Sequence, residues 1–141
     1  MMKKIGFLLC LFFVVSCAHQ RTPIPQYPVI PVEKAVVCFY QPQSFYLVKP
    51  LTVTVHHGDR ILRTTTPGTF WFYECDPGTH YFWVEAKNRA AISLDVAPQR
   101  HYFVKYGLKM KGILNEVYIE RVSALDGDLD IRELEFLGSL R

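Results

Sequence analysis

The chain has 141 residues, half of them hydrophobic, with 16 Lys and Arg against 13 Asp and Glu and a formal net charge of +3. This length suits a single domain with a short extension. The positive charge is small and partly confined to the first four residues, so it gives no electrostatic reason to expect a nucleic-acid partner.

The first residues have the pattern of a secretory signal peptide. Lys3 and Lys4 precede an apolar run over residues 5–15, which as a helix would be roughly 16 Å long. A bilayer core of about 30 Å needs nearer to 20 residues, so the run is too short for a permanent span. We therefore predict that residues 1–16 are a signal peptide.

The sequence Val14-Val15-Ser16-Cys17 resembles the lipobox of bacterial lipoproteins. In that family the cysteine receives a diacylglyceryl group, the signal is cut before it, and the new amino group is acylated. The resemblance therefore implies a palmitate-bearing membrane anchor at Cys17, and several acyl chains hold a protein firmly. Ala18 resembles the sorting pattern of outer-membrane lipoproteins, which implies an outer-membrane protein facing the periplasm. The alternative is an ordinary signal peptide cut near Ala18.

The next segment, residues 17–34, is rich in proline. Pro23, Pro25, Pro28 and Pro31 are incompatible with a helix or a central strand. We predict an extended, lipidated tether of about 50 Å at roughly 3.1 Å per residue. A proline-rich docking ligand is the alternative.

Residues 35–141 have the composition of a β domain. β-branched and aromatic residues form short runs separated by turn signals, and this regular spacing favours an antiparallel β-sandwich of seven to eight strands. A short C-terminal helix is predicted over residues 130–137, because Asp130-Ile131-Arg132-Glu133 resembles a capping box. The predicted strands cover residues 35–40, 51–57, 60–65, 69–75, 80–86, 91–97, 101–107 and 116–122.

The stretch "CDPGTH" predicts a hairpin with Pro77 and Gly78 at the centre of a type II turn. In that register Trp71 faces Val84 and Tyr73 faces Phe82 on the core side of one sheet. The other side would present aromatic rings flanked by carboxylates, which suits contact with sugar rings. This candidate binding face consists of Phe72, Glu74, Tyr81, Trp83 and Glu85.

Four stretches suggest a family: "VCFYQPQSF", "TVTVHHGDRI", "GTFWFYECDPGTHYFWVEA" and "HYFVKYGL". Over about residues 35–122 the chain resembles the bacterial lipoprotein domain catalogued as domain of unknown function 2846. The stretch Pro77-Gly78-Thr79-His80 is also similar to turns of PEGA and transthyretin-like sandwiches. The resemblance implies a lipoprotein β-sandwich and implies no activity.

The candidate chemical motifs predict neither an enzyme nor a metal or cofactor site. The chain has no Gly-x-Ser-x-Gly motif, and His56 and His57 are adjacent on a strand, so they point to opposite faces. An EF-hand loop needs glycine at its sixth position and a carboxylate at its twelfth. Counted from Asp126 of "DGDLD", these positions are Ile131 and Leu137. Cys38 and Cys75 could form a disulfide only if their Cα atoms lie within about 7 Å, which the sequence leaves open.

These observations favour a non-catalytic cell-envelope lipoprotein that acts as an interaction or structural module. Its predicted partners are the membrane, through the N-terminal lipid anchor, and envelope proteins or peptidoglycan. The alternative is a glycan-binding module, for peptidoglycan, that uses the aromatic sheet face. An envelope hydrolase is the third reading, and it lacks a recognisable catalytic constellation.

Overall fold

The computed structural model describes residues 24–43 and 52–141, which form two β-sheets and one short helix. This mostly β, sandwich-like architecture confirms the predicted fold class, and most of the strands start and end within two residues of their predicted limits. The elements in chain order are β1 (Ala35–Gln41), β2 (Val53–His57), β3 (Arg60–Thr65), β4 (Thr69–Cys75), β5 (Gly78–Glu85), β6 (Arg89–Val96), β7 (His101–Lys111), β8 (Leu114–Val122), α1 (Ala124–Ile131) and β9 (Glu135–Leu140).

The two sheets differ in size and in strand direction. One has five strands in the order β8-β7-β1-β4-β9, and the other has four in the order β3-β2-β5-β6. All pairings of the four-stranded sheet are antiparallel, but in the five-stranded sheet β1 pairs with β7, and β4 with β9, in parallel. The expectation of purely antiparallel strands is therefore corrected. Side-chain alternation is the same in both arrangements, so it does not report strand direction.

The main core lies between the two sheets and is built around large aromatic side chains. Phe39 of β1 stacks on Trp71 of β4 with ring centroids 4.7 Å apart, and it meets Phe82 of β5 edge-on at 5.0 Å. Tyr73 and Val84 are buried in the same cluster. The predicted core side of these two strands is thus confirmed.

The predicted hairpin between β4 and β5 is wrong. β4 pairs with β1 and β9 in the five-stranded sheet, whereas β5 pairs with β2 and β6 in the other sheet. Trp71 is consequently opposite Phe39 and not Val84. The turn carries the chain from one sheet to the other, and Gly78 there has a φ of +129°, a region that favours glycine. Two strands that face each other across a core show the same inward alternation as two paired strands.

A second apolar cluster covers the outer face of the five-stranded sheet. Phe72, Phe103 and Ile131 are buried in it, and Tyr27 and Ile30 of the proline-rich segment pack against it. The Tyr27 ring lies 5.7 Å from that of Phe72 and 6.2 Å from that of Phe103. The described part of the segment predicted as a tether is therefore packed on the domain and is not a free spacer.

The helix begins and ends six residues earlier than predicted. Ser123 is its N-cap, and the Ser123 Oγ accepts a hydrogen bond from the Asp126 backbone N–H at 3.1 Å. Gly127 allows the helix to lie against β7, because a Cβ there would come within 2.2 Å of the Phe103 ring. The chain beyond α1 forms β9, whose start lies where the prediction placed helix. Gly127 is thus a point of close packing between the helix and β7.

The predictions for the first residues fall outside the described part of the chain. These are the signal peptide over residues 1–16, the lipobox and Cys17 itself, and they stay predictions. Within the described ranges, no helix has both the length and the apolar composition that a bilayer crossing requires.

Candidate functional site

The predicted binding face is divided between the two sides of the molecule. Phe72 and Glu74 lie on β4 in the five-stranded sheet, whereas Tyr81, Trp83 and Glu85 lie on β5 in the four-stranded sheet. These side chains alternate with core residues on their own strands, so they occupy the two opposite outer faces of the sandwich. The five residues cannot form one surface, because β4 and β5 are not paired.

The half on β4 is not available to a partner. Phe72 is only 1 % exposed, because Tyr27 and Phe136 pack on it, the latter with ring centroids 5.5 Å apart. Glu74 is mostly covered, with Arg141 Nε 3.8 Å from its Oε2 atom. The candidate site is therefore confined to the outer face of the four-stranded sheet.

Trp83 occupies the middle of that face and is held by both neighbouring strands. His56 of β2 is directly opposite it and stacks on the indole at 3.5 Å with an interplanar angle of 9°. The Arg89 Cζ atom, from β6, lies 4.8 Å from the indole centroid. Because β2 and β6 flank β5 on opposite sides, we place the two contacts on opposite faces of the indole. Trp83 Nε1 also donates to the Gly58 carbonyl at 2.7 Å.

Glu85 completes this arrangement, which explains why an acid lies among the aromatic rings. Its Oε1 accepts hydrogen bonds from Arg89 Nε at 3.0 Å and from Nη2 at 2.8 Å. Its Oε2 lies 3.7 Å from Nε2 of the buried His56. That nitrogen has no hydrogen-bond partner among the described residues. The carboxylate thus fixes the guanidinium in place over Trp83.

Beside this stack lies a shallow concavity of about 350 Å³. It is lined by Tyr81, Trp83, Arg89, Ala90 and Ala91, and the two alanines leave the space open because their side chains are small. Tyr81 is 54 % exposed. The lining offers a free phenol, a fixed cation and an apolar floor, and its side chains include neither a nucleophile nor an acid–base pair. We call these five residues the Tyr81 concavity.

A histidine chain that sequence reasoning missed lies at the end of the sandwich where β4 passes to β5. The His57 Nδ1 is 3.0 Å from the Tyr73 hydroxyl, and His57 Nε2 is 2.9 Å from His80 Nδ1. The His80 Nε2 is 2.6 Å from the Asp76 carbonyl oxygen. A carbonyl only accepts, so His80 donates to it, His57 donates to His80, and Tyr73 donates to His57.

This histidine chain is a structural network. Burial lowers the pKa of His57, and the neighbouring His80 and Arg60 lower it further. Across the described ranges, no group of three or more His, Cys, Asp or Glu side chains is placed to hold a metal ion. The only sequence signal was that histidines end one strand and begin another; their contact depends on how β2 and β5 pair.

Cys38 and Cys75 are both free and lie too far apart for a disulfide. Cys75 is opposite Ala35 and Cys38 is opposite Phe72, so the two cysteines are about 10 Å apart along the strands at roughly 3.3 Å per residue. Cys38 belongs to the outer cluster and Cys75 to the main core. Burial raises the pKa of both thiols, that of Cys75 to about 11, which leaves little thiolate at neutral pH.

The Tyr81 concavity is therefore the best candidate for a functional surface on the described part of the chain. Comparisons of the chain with protein-family models, with curated proteins and with solved structures find no match.

Proposed function

We propose that the protein is a non-catalytic, lipid-anchored interaction module of the bacterial cell envelope that binds a partner protein through the Tyr81 concavity. The observation that carries this proposal is the half-exposed Tyr81 phenol beside a Trp83–Arg89 pair already held by its neighbours. Tyr, Trp and Arg are the residue types that dominate binding energy at protein interfaces. Side chains that are fixed before binding lose little conformational entropy on association.

The envelope location is part of the same proposal and is supported by sequence. Val14–Cys17 resembles a lipobox, Ala18 resembles the outer-membrane sorting pattern, and residues 35–122 resemble a lipoprotein domain. The anchor supplies the membrane attachment, which leaves the folded domain free for contact with other envelope components.

The structural observations favour a protein partner over peptidoglycan. Sugar rings bind on bare, flat aromatic faces, and here His56 and Arg89 cover the indole of Trp83. Phe72 is buried on the other side of the molecule. A glycan-binding function would therefore depend on Tyr81 alone.

Site-specific photo-crosslinking in intact cells tests the proposed contact. We would place a benzophenone amino acid at Tyr81 of the full chain and, as the control, at the exposed Leu125 of α1 on the opposite side. We expect a discrete protein adduct from position 81 and none from position 125. Arg89→Ala should reduce the adduct at least tenfold, which corresponds to the loss of about 1.4 kcal/mol.

Two results would contradict a protein-binding role. Equal adducts from both positions would mean random collision in the envelope. If position 81 gives no adduct while Tyr81→Ala reduces sedimentation with isolated peptidoglycan, the glycan-binding alternative is correct.

A further inference from the structure

The hairpin of β7 and β8 extends past the end of the sandwich and has an apolar tip. β7 pairs with β1 as far as Lys105, and from there to Lys111 its only partner among the described strands is β8. The exposed fractions of the tip's apolar side chains are 61 % for Met110, 98 % for Ile113 and 68 % for Leu114. Side chains this apolar and this exposed, together at one hairpin tip, are typical of a contact site.

The N-terminal segment reaches the same end of the sandwich. β1 and β7 run parallel, so the hairpin projects beyond Gln41, the last residue of β1. Lys34 lies at the other end, where its ammonium is 2.6 Å from Asp76. From there the segment crosses the outer face of the sheet, and Ile24 lines a groove with Phe70 and residues of the α1–β9 connection. Ile24, the first residue that the structure describes, therefore lies toward the end that carries the tip.

Chain length limits how far this end can be from a lipid anchor. Cys17 precedes Ile24 by seven residues, which span at most about 25 Å at ~3.6 Å each. If Cys17 carries the lipid, which rests on the proposed function, the end with the tip faces the bilayer.

The charges around the tip suit an anionic membrane surface. Lys109 and Lys111 flank Met110 and are exposed. Lys111 Nζ is 3.3 Å from Glu116, and Lys109 Nζ lies 5.9 Å from the Tyr118 ring centroid. Both ammonium groups thus lie just behind the apolar tip, where they would meet phosphate groups as the tip enters the headgroup boundary.

We propose that the β7–β8 tip is a second membrane contact, which inserts Met110, Ile113 and Leu114 into an anionic bilayer beside the lipid anchor. Two attachment points fix the orientation of the domain on the membrane, whereas a single lipid anchor does not. The bilayer is favoured over a second protein by the flanking lysines and by the shared end with the anchor.

Fluorescence at single cysteines tests this contact. The full, lipidated chain carrying Ile113→Cys would be labelled with NBD and reconstituted in phosphatidylglycerol–phosphatidylethanolamine vesicles. Asp59→Cys, in the β2–β3 turn at the opposite end, is the matched control. Cys38 and Cys75 are 0 % and 6 % exposed and would not compete for the label. We expect a blue shift and quenching by acyl-chain nitroxide lipids at position 113 and neither at position 59.

Palmitate labelling of the same preparation separates this proposal from the proposed anchor. A labelled protein whose probe at 113 responds no more than the probe at 59 overturns the tip contact and leaves the anchor intact. A protein that takes up no palmitate label overturns both the anchor and the tip contact. A blue shift at 113 without nitroxide quenching means burial against protein, and it also overturns the tip contact.

Discussion

At the residue scale, the hydrogen-bond directions in the histidine chain give a structural reason to expect sensitivity to acid. Tyr73, His57 and His80 donate in one direction to the Asp76 carbonyl, so each neutral imidazole uses both nitrogens. A proton on both rings would set two N–H donors against each other between His57 Nε2 and His80 Nδ1. The doubly protonated chain must therefore break its central hydrogen bond.

We predict that stability falls as the pH is lowered from about 7.5 to about 5.5. Burial lowers the pKa of both His57 and His101 in the folded state, whereas an unfolded histidine titrates near 6.5. In this window the unfolded chain binds more protons, so the free energy of unfolding decreases with acidification. The pKa values of Asp76 and Asp128 are also lowered in the folded state, so the stability that these carboxylates provide is lost only at a lower pH, below about 4.

Thermal unfolding over a pH series measures this effect. We expect the melting temperature to drop by a few degrees in the wild type and by less in His57→Gln or His101→Gln. The exposed Lys87→Gln serves as the control and should leave the slope unchanged. A melting temperature that is constant or rises on acidification would show that folding does not lower the pKa of these two histidines.

At the scale of the elements, the proline-rich segment acts as a strap over the five-stranded sheet. Tyr27 packs on Phe72 and Phe103, and its hydroxyl donates to the Asp128 carboxylate of α1. Burial and this hydrogen bond raise the pKa of Tyr27. The strap, α1 and β9 together cover an outer face that would otherwise expose aromatic side chains.

We predict that Tyr27→Ala destabilises the domain by about 2–3 kcal/mol, less than the roughly 3–5 kcal/mol for a fully buried aromatic residue, because the Tyr27 side chain is only partly buried. Val29→Ala, at an exposed position in the same segment, should have almost no effect. Chemical denaturation of the full chain measures both. Identical unfolding curves for wild type and Tyr27→Ala would mean that the segment is a free tether, as the sequence alone suggested.

At the scale of the whole molecule, the two ends of the sandwich carry different features, and only one of them lies next to the proposed lipid anchor. The end with the β7–β8 tip and Ile24 is the one that a lipid anchor would hold near a membrane. The Asp59 turn and the histidine chain lie at the other end. Because the strap packs on the domain, seven residues separate Cys17 from Ile24, the first described residue, against 17 for a tether that ends at residue 34.

The proposed anchor gives a direct prediction for cells. A palmitate analogue should label the wild type and leave Cys17→Ala unlabelled, because the lipobox cysteine is the proposed acceptor. Density-gradient fractionation should place the wild type with outer-membrane markers, as Ala18 suggests. Equal labelling of both proteins would refute the anchor, and recovery with inner-membrane markers alone would refute the outer-membrane location.

The sequence by itself determined eight of the nine described strands and the core-facing side chains of β4 and β5. Alternation and turn residues are local properties, so β3 and β4 start and end at their predicted residues. Trp71 and Phe82 were placed in the core correctly for the same reason. The resulting β-sandwich class follows from the number and spacing of the strands.

Only the tertiary structure decided which strands are partners, because pairing depends on contacts between residues far apart in the chain. It placed β4 and β5 in different sheets, which divided the predicted binding face and left Tyr81 and Trp83 without Phe72. It separated Cys38 from Cys75 and brought His57 to His80. The segment before β1 shows the limit most simply: its prolines exclude a helix, but whether an extended chain stays free or packs depends on the surface that the rest of the fold presents to it.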